Sequence, residues 1–246
     1  GGSGNDVIVN EGAITVEADS LAIAASVAVD IMPGKTKGIG IALANARNEA
    51  TATATGISGG EGCDLISNSG AVTVDADATA VAASISVVRQ GAAGSGTLDP
   101  VSFDSGNNAE AVAKGIDGGA GNESICNSGA LDVSSTAVAP SVGVAVSSKG
   151  VSAAITTASA AASSTGIDTG EGTHWIHNTG AIDADALAVA VGVSVSVAGE
   201  GLAAGLDTVW DGGTTATATA AGIRAASGND VITHEDPYVA TARITG

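Results

Sequence analysis

From Ala71 to Val87 the chain alternates with a period of two. Even positions read Val72, Val74, Ala76, Ala78, Ala80, Ala82, Ser84 and Ser86. Odd positions read Thr73, Asp75, Asp77 and Thr79, then turn apolar at Val81, Ala83, Ile85 and Val87. Alternation at 180° per residue predicts a β-strand, and the β-branched and Asp/Thr content opposes a helix despite the alanines. Comparable stretches recur along the chain. Each ends in a variable connection: Met32 to Lys35, an insert around 91–108, 147–150 and 199–213. Returning strands follow at 39–47, 50–55 and 214–219, and a Gly-Ile pair closes four of the repeats, at Gly56-Ile57, Gly115-Ile116, Gly166-Ile167 and Gly222-Ile223.

The alternating stretches are punctuated by copies of one Gly-rich segment. They begin at positions 1, 59, 118, 169 and 225, between 51 and 59 residues apart. Self-similarity at such a period is the signature of a repeat architecture. The expected fold is all-β, a repetitive β-solenoid of β-helix or β-roll type with a thin Ala/Val/Ile core. The alternative is a stack of long antiparallel hairpins, since a variable turn between two alternating stretches also describes a hairpin. Residues 1–246 read as one repetitive domain, with repeats at about 1–58, 59–117, 118–168 and 169–224 and a partial one at 225–246. The chain starts and stops inside a repeat and reads as a segment of something longer. Periodicity leaves open whether one repeat makes a single broad coil or several short ones. Ile8, Ile66, Ile125, Ile176 and Ile232 align as an inward column. Asn10, Asn68, Asn127 and Asn178 align just before Gly12, Gly70, Gly129 and Gly180. Stacked asparagines at a turn can hydrogen-bond along the column, so a ladder is expected there.

Composition sharpens this picture. Only 2% of residues are aromatic, so the core must be built from small side chains. Net charge is −18, from eight Lys+Arg against 26 Asp+Glu, which argues against nucleic-acid binding and suits a self-repelling or cation-collecting surface. There is no uninterrupted apolar run long enough for a membrane-spanning helix. Cys63 and Cys126 fall in columns four strand positions apart, roughly 13 Å at ~3.3 Å per residue, beyond disulfide reach. Two free thiols are expected.

Residues 1–9 and 59–67 match the nonapeptide Gly-Gly-x-Gly-x-Asp-x-(large apolar)-x at every defined position. In this they resemble the RTX, or hemolysin-type, calcium-binding repeats of bacterial secreted proteins. The resemblance implies Ca²⁺ held by Asp6 and Asp64, with Glu123 in the same column, and by carbonyls of Gly1, Ser3, Gly59 and Glu61. It covers about nine residues per repeat, with one such unit every 51 to 59 residues rather than a tandem run. The long alternating stretches with their Asn-Ser-Gly-Ala turns look like those of giant secreted bacterial adhesins and autotransporter-like β-helices. That second resemblance implies an extracellular, cell-surface setting and a structural role in an adhesin or fibre. A dedicated ligand-binding module, for glycan, ice or metal, is the alternative.

Other constellations are weaker. Glu123, Cys126, His174 and His177 supply zinc-ligand types, but a spacing of three along a strand puts members on opposite faces. Thr51, Thr53 and Thr55 resemble part of an ice-binding array, yet align with Glu110, Val112 and Lys114. No nucleophile–base pattern or phosphate loop stands out, so no enzyme is expected. The last expectation is self-association. Val27, Val29, Ile85, Val87, Val142, Val144, Val146, Val193, Val195 and Val197, with Ile39, Ile41 and Leu43, are apolar on the face opposite the small Ala/Ser positions. If the small residues fill the interior, these form an exposed strip that another copy could cover. The competing arrangement puts the Val/Ile face inside, reached by a bulge near residues 18–21.

Overall fold

The structure is a computed structural model that describes residues 1–31, 40–89, 91–96, 106–206, 213–235 and 238–245. In chain order the strands are β1 (Gly2–Ser3), β2 (Val7–Asn10), β3 (Ile14–Asp30), β4 (Gly40–Asn45), β5 (Asn48–Gly62), β6 (Leu65–Asn68), β7 (Val72–Val88), β8 (Gly91–Gly96) and β9 (Asn107–Gly121). They continue as β10 (Ser124–Asn127), β11 (Leu131–Ile155), β12 (Ala158–Asp168), β13 (Trp175–Asn178), β14 (Ile182–Leu206), β15 (Thr214–Arg224), β16 (Val231–His234) and β17 (Tyr238–Thr245). Among the described residues there is no helix long and apolar enough to cross a membrane.

Every strand pair is parallel, and pairing joins one repeat to the next. Three sheets result: β1-β5-β9-β12-β15, β16-β13-β10-β6-β2 and β17-β14-β11-β7-β3. The chain is therefore a β-solenoid with one coil per repeat. Stacked antiparallel hairpins are excluded, because a hairpin's two arms would pair with each other. The described residues of each coil run along the first sheet, round a corner through a four-residue strand, and out along the third. Beyond that the chain doubles back: Ser152 Oγ donates across the interior to the Ala145 carbonyl at 2.7 Å, and Ser196 Oγ to Ala204 at 2.6 Å.

The register turns each repeat position into a column. Ala50, Ala52 and Ala54 stack on Ala109, Ala111 and Ala113 and face Ala76, Ala78 and Ala80 of the opposite sheet, all buried. Side chains this small let the two sheets approach closely. Bulk is confined to the corner, where Ile57, Ile66, Val72 and Val74 and their copies pack. The Gly-Ile pair belongs to this corner. A Cβ on Gly166 would lie 2.3 Å from Ile182 Cγ2 and 2.5 Å from the Gly222 carbonyl oxygen, so only glycine fits before the inward isoleucine.

The asparagine ladder is present. Asn10 Nδ2 donates to Asn68 Oδ1 at 2.7 Å, Asn68 to Asn127 at 2.7 Å and Asn127 to Asn178 at 2.5 Å. The same amides donate to the Gly12, Gly70, Gly129 and Gly180 carbonyls two residues on. In the fifth coil His234 Nδ1 accepts from Asn178 at 2.8 Å. A second pair of asparagines crosses the core. Pro140 has no N–H, and Ala139 and Pro140 drop out of the pairing with β7 while keeping it with β14. Asn107 Nδ2 donates to the Ala80 and Pro140 carbonyls there, and Asn48 Nδ2 to those of Ala22 and Val81.

Removing a rung from the buried middle of the ladder strands the groups on either side, at about 1–3 kcal/mol for each buried group left unpaired. Asn127→Ala is expected to lower unfolding free energy in urea by at least about 2 kcal/mol, and Asn10→Ala, at the part-exposed end, by clearly less. Equal losses at the two positions would contradict a cooperative ladder.

Candidate functional site

The Gly-Gly-x-Gly-x-Asp segments form the corner leading into the four-residue strands. Gly60 and Gly62 have φ of 108° and 133°, a region that L side chains avoid. The first glycine is needed for space instead. A Cβ on Gly59 would lie 2.3 Å from the Gly118 carbonyl oxygen and 2.8 Å from Asp64 Oδ2.

Asp6, Asp64, Glu123, His174 and Asp230 occupy one column at this corner, as the alignment of the repeats predicts. Asp64, Glu123 and His174 are buried. Their first job is local to the stack. Asp64 Oδ1 accepts from the Asp6 backbone N–H at 2.8 Å, and Asp230 Oδ1 from that of His174 at 3.0 Å. In the other direction Asn5 Oδ1 accepts from Cys63 N–H at 2.9 Å and Asn122 Oδ1 from Thr173 N–H at 2.8 Å. Side chains of adjacent coils thus satisfy the turn's amides where regular pairing lapses.

The second carboxylate oxygens, Asp6 Oδ2 and Asp64 Oδ2, are buried with no hydrogen-bond partner. A point beside Gly1, where a Cβ would stand, lies 2.1 Å from the Gly59 carbonyl oxygen and 2.5 Å from Asp6 Oδ2; the equivalent point beside Gly59 has Gly118 O and Asp64 Oδ2 around it. Such paired oxygens match a hard cation's ligand preference and supply two of the roughly six to eight that calcium takes. Of the other expected ligands, the Glu61 carbonyl accepts from Gly4 N–H at 2.8 Å, while Ser3 pairs in register with Glu61 along the ladder. Among the described residues, no three His, Cys, Asp or Glu side chains are grouped to hold a metal ion.

Glu123 and His174 instead engage each other. His174 Nδ1 lies 2.5 Å from Glu123 Oε2, with both side chains wholly buried. One proton must sit between atoms this close, so the 3.4 Å approach of Glu123 N to the same nitrogen is secondary. Burial pushes the Glu123 carboxyl above the usual glutamate range; His174 pulls it down and the Asp64 charge pushes it up. Cys126 and His177 are register partners in adjacent strands but lie on the outer side, away from Glu123 and His174. The four zinc-ligand types therefore divide between two faces. His177 stacks on Trp175, ring centroids 5.9 Å apart. Both cysteines are free thiols.

The outer face of the first sheet carries the threonines, and Thr51, Thr53 and Thr55 pair with Glu110, Val112 and Lys114, so the array is interrupted one coil on. It also carries an ion network that sequence reasoning missed. Lys114 Nζ lies 2.9 Å from Asp117 and 2.8 Å from Asp168, and Arg224 Nη2 lies 2.5 Å from Asp168. Burial would raise the Asp168 carboxyl, but the bonds and charges of Arg224 and Lys114 outweigh it and hold the carboxyl low. The available signal was that Asp117, Asp168 and Arg224 share the column immediately before each Gly-rich segment.

The Val/Ile positions form a lattice on the outer face of the third sheet. Its columns are Ala25, Ala83, Val142 and Val193; Val27, Ile85, Val144 and Val195; and Val29, Val87, Val146 and Val197. Val27, Val29, Ile85, Val142, Val193, Val195 and Val197 are exposed, and Val87, Val144 and Val146 half-buried. Burial alternates without a break from Ile14 to Asp30 and from Val72 to Val88, so no bulge moves this face inside. The small residues are interior: Ser84, Ser86, Ala82 and Ala145 are buried. Ile39 lies outside the described residues, as do the side chains of Ile41 and Leu43.

Compared with protein-family models, with curated proteins and with solved structures, the chain finds no match.

Folding raises the Glu123 pKa, so its contribution to stability is full below the ordinary value of 4.5 and is lost as pH rises through the raised one. Asp168 opposes this, its contribution being present above 3.8 and lost as pH falls. Glu123→Gln removes only the first effect. The variant's melting temperature relative to the parent is expected to climb as pH is raised from about 4.5 to 8. A difference independent of pH would contradict the assignment.

Proposed function

We propose that the chain is a structural repeat module of a secreted bacterial surface adhesin or extracellular fibre, non-catalytic and self-associating. The observation that carries this reading is the Val/Ile lattice repeated in register over four coils of a continuous stack. A parallel in-register stack spaces whatever it carries, lengthening by ~4.8 Å per coil. Its outermost coils present strands paired on one side only within this chain, such as β2 and β3 at one end and β16 and β17 at the other, so the stack can continue or pair. The secreted bacterial setting rests on the resemblance of the Gly-rich turns and alternating stretches to RTX-type and adhesin repeats.

Calcium has a place in this reading as a stabiliser of the corner column, where it would neutralise Asp6 and Asp64 beside the Gly59 and Gly118 carbonyls. An ion that binds only the folded stack stabilises it by mass action. Melting in millimolar calcium is expected to occur several degrees higher than in chelator, and Asp64→Asn is expected to abolish the difference. Superimposable curves for the parent would remove calcium from the account and leave the structural role intact.

Self-association is read by sedimentation velocity across a wide concentration range. Dimers or longer assemblies are expected, whereas a monomer at the highest concentration would contradict the reading.

A further inference from the structure

The outer half of each coil is inside-out. Its interior mixes Ser84, Ser86, Ser141, Ser147 and Ser152 with Ala82, Val88, Ala145 and Ala154, while its outer surface on the third sheet is rich in Val and Ile. Some of these interior groups bond across the gap, as Ser152 does, and Thr156 Oγ1 lies 2.9 Å from Ser194 Oγ. The hydroxyls of Ser84, Ser141 and Ser147 have no partner. A core of this kind contributes little hydrophobic stabilisation, and the apolar area that would supply it faces outward.

The same face is divided by charge. Nearer the asparagine corner its columns carry Glu17, Asp75, Asp77, Asp132, Asp183 and Asp185, in register with the Val/Ile columns farther out. Burial, then Asp75 and Asp19, push the Asp77 carboxyl up, as expected of crowded like charges. Past the far edge of the lattice the next outward residue is basic in the second coil, the exposed Arg89, and is the exposed Ile31 in the first. From the Leu21 column to the Val29 column the apolar face measures roughly 26 Å along the strands and 19 Å over four coils, on the order of 500 Å². That lies in the upper part of the ~300–600 Å² of the largest apolar patch on a typical monomer, a size that is often functional, against ~800 Å² per partner in a standard interface.

We infer that this face is covered by the same face of a second copy, related by a two-fold axis parallel to the stacking direction and passing over the Ala25, Ala83, Val142 and Val193 column. The inference rests on the proposed self-association and specifies its geometry. Two-fold axes in the plane of contact along either principal direction bring Val onto Val. An axis along the strands lays one acidic half over the other, which like-charge repulsion opposes. An axis along the stack reverses the strands, so the apolar halves overlap and the acidic halves project on opposite sides. In that arrangement the residues meeting across the axis in the second coil have numbers symmetric about 83. Ile85 meets Val81, Val87 meets Thr79, and Arg89 comes over Asp77. The contact is isologous and closed. Both stacks also run the same way with the same rise, so each added coil extends the joint by roughly 130 Å² per partner.

The test uses the full chain with Cys63→Ser and Cys126→Ser as background, each variant first checked for an unchanged melting curve. Val142→Cys is expected to form an intermolecular disulfide under mild oxidation. Asp132→Cys is expected not to, and spin labels on it should lie about 65 Å apart in the dimer, ten residues out on each side of the axis. Arg89→Glu and Asp77→Lys should each weaken association severalfold, and the two together should restore it. A disulfide at Asp132→Cys, or labels within about 20 Å, places acid over acid and overturns the joint. Assemblies that form while Val142→Cys stays reduced, unaffected by the charge swap, overturn the joint and leave self-association through the stack ends. A monomer throughout overturns both.

Discussion

At the two corners of this thin stack the inward-pointing amides find their partners one coil away, and that pairing holds the rest of the structure in place. Asn10, Asn68 and Asn127 pair directly, each amide bonded both to the next asparagine and to its own turn, and Asn178 does the same with His234 in place of an asparagine. The Gly-rich corner pairs through Asp64 and Asp230 capping amides in one direction and Asn5 and Asn122 in the other. A shift of one coil by a single residue would turn every alanine outward and break both ladders together. Register is thus enforced at two corners, which leaves the long strands free to vary.

That freedom is used differently along the coil. Near the corners Ile57, Ile66, Val72 and Val74 form an ordinary apolar core. Farther out the interior narrows to alanine, then to serine, and the apolar residues move to the outer face. The Gly-Gly-x-Gly-x-Asp segment also gains a structural explanation independent of any ion. Its first glycine makes room for the inward carboxylate, its second and third supply positive φ, and its acid caps a neighbouring coil. Glu123 and His174 fill the same column as a proton-sharing pair.

Much of the fold was legible because a solenoid writes each interaction several times. The columns of Ile66, Asn68 and Gly70 predicted both the stacking and the ladder, and the alternation of 71–87 located the inner face. The number of coils per repeat was not legible, since the fold-back in the middle of β11 turns through Ser147–Gly150 with no more signal than any loop. Asn48 and Asn107 were missed because their partners are backbone carbonyls of the opposite sheet, for Asn107 at the point where Pro140 interrupts the ladder. The ion network of Lys114, Asp117, Asp168 and Arg224 was missed because Ser58, Asp117, Asp168 and Arg224 share a column whose charge differs between repeats, and Lys114 reaches it from another column. The Glu123–His174 contact was legible only as a shared column; its closeness depends on how far each side chain reaches into the corner.

If each repeat is one coil in a common register, removing one whole repeat should leave a shorter stack with the same joints. Deleting residues 118–168 brings Asp117 to Thr169, places Asn178 over Asn68 and stacks β14 on β7. Urea unfolding followed by circular dichroism is the direct measurement. The account predicts an unchanged β spectrum and a single cooperative transition at lower urea. A deletion of equal length shifted by half a repeat should abolish folding. Loss of structure in the whole-repeat deletion, or equal tolerance of the shifted one, would contradict the one-coil register.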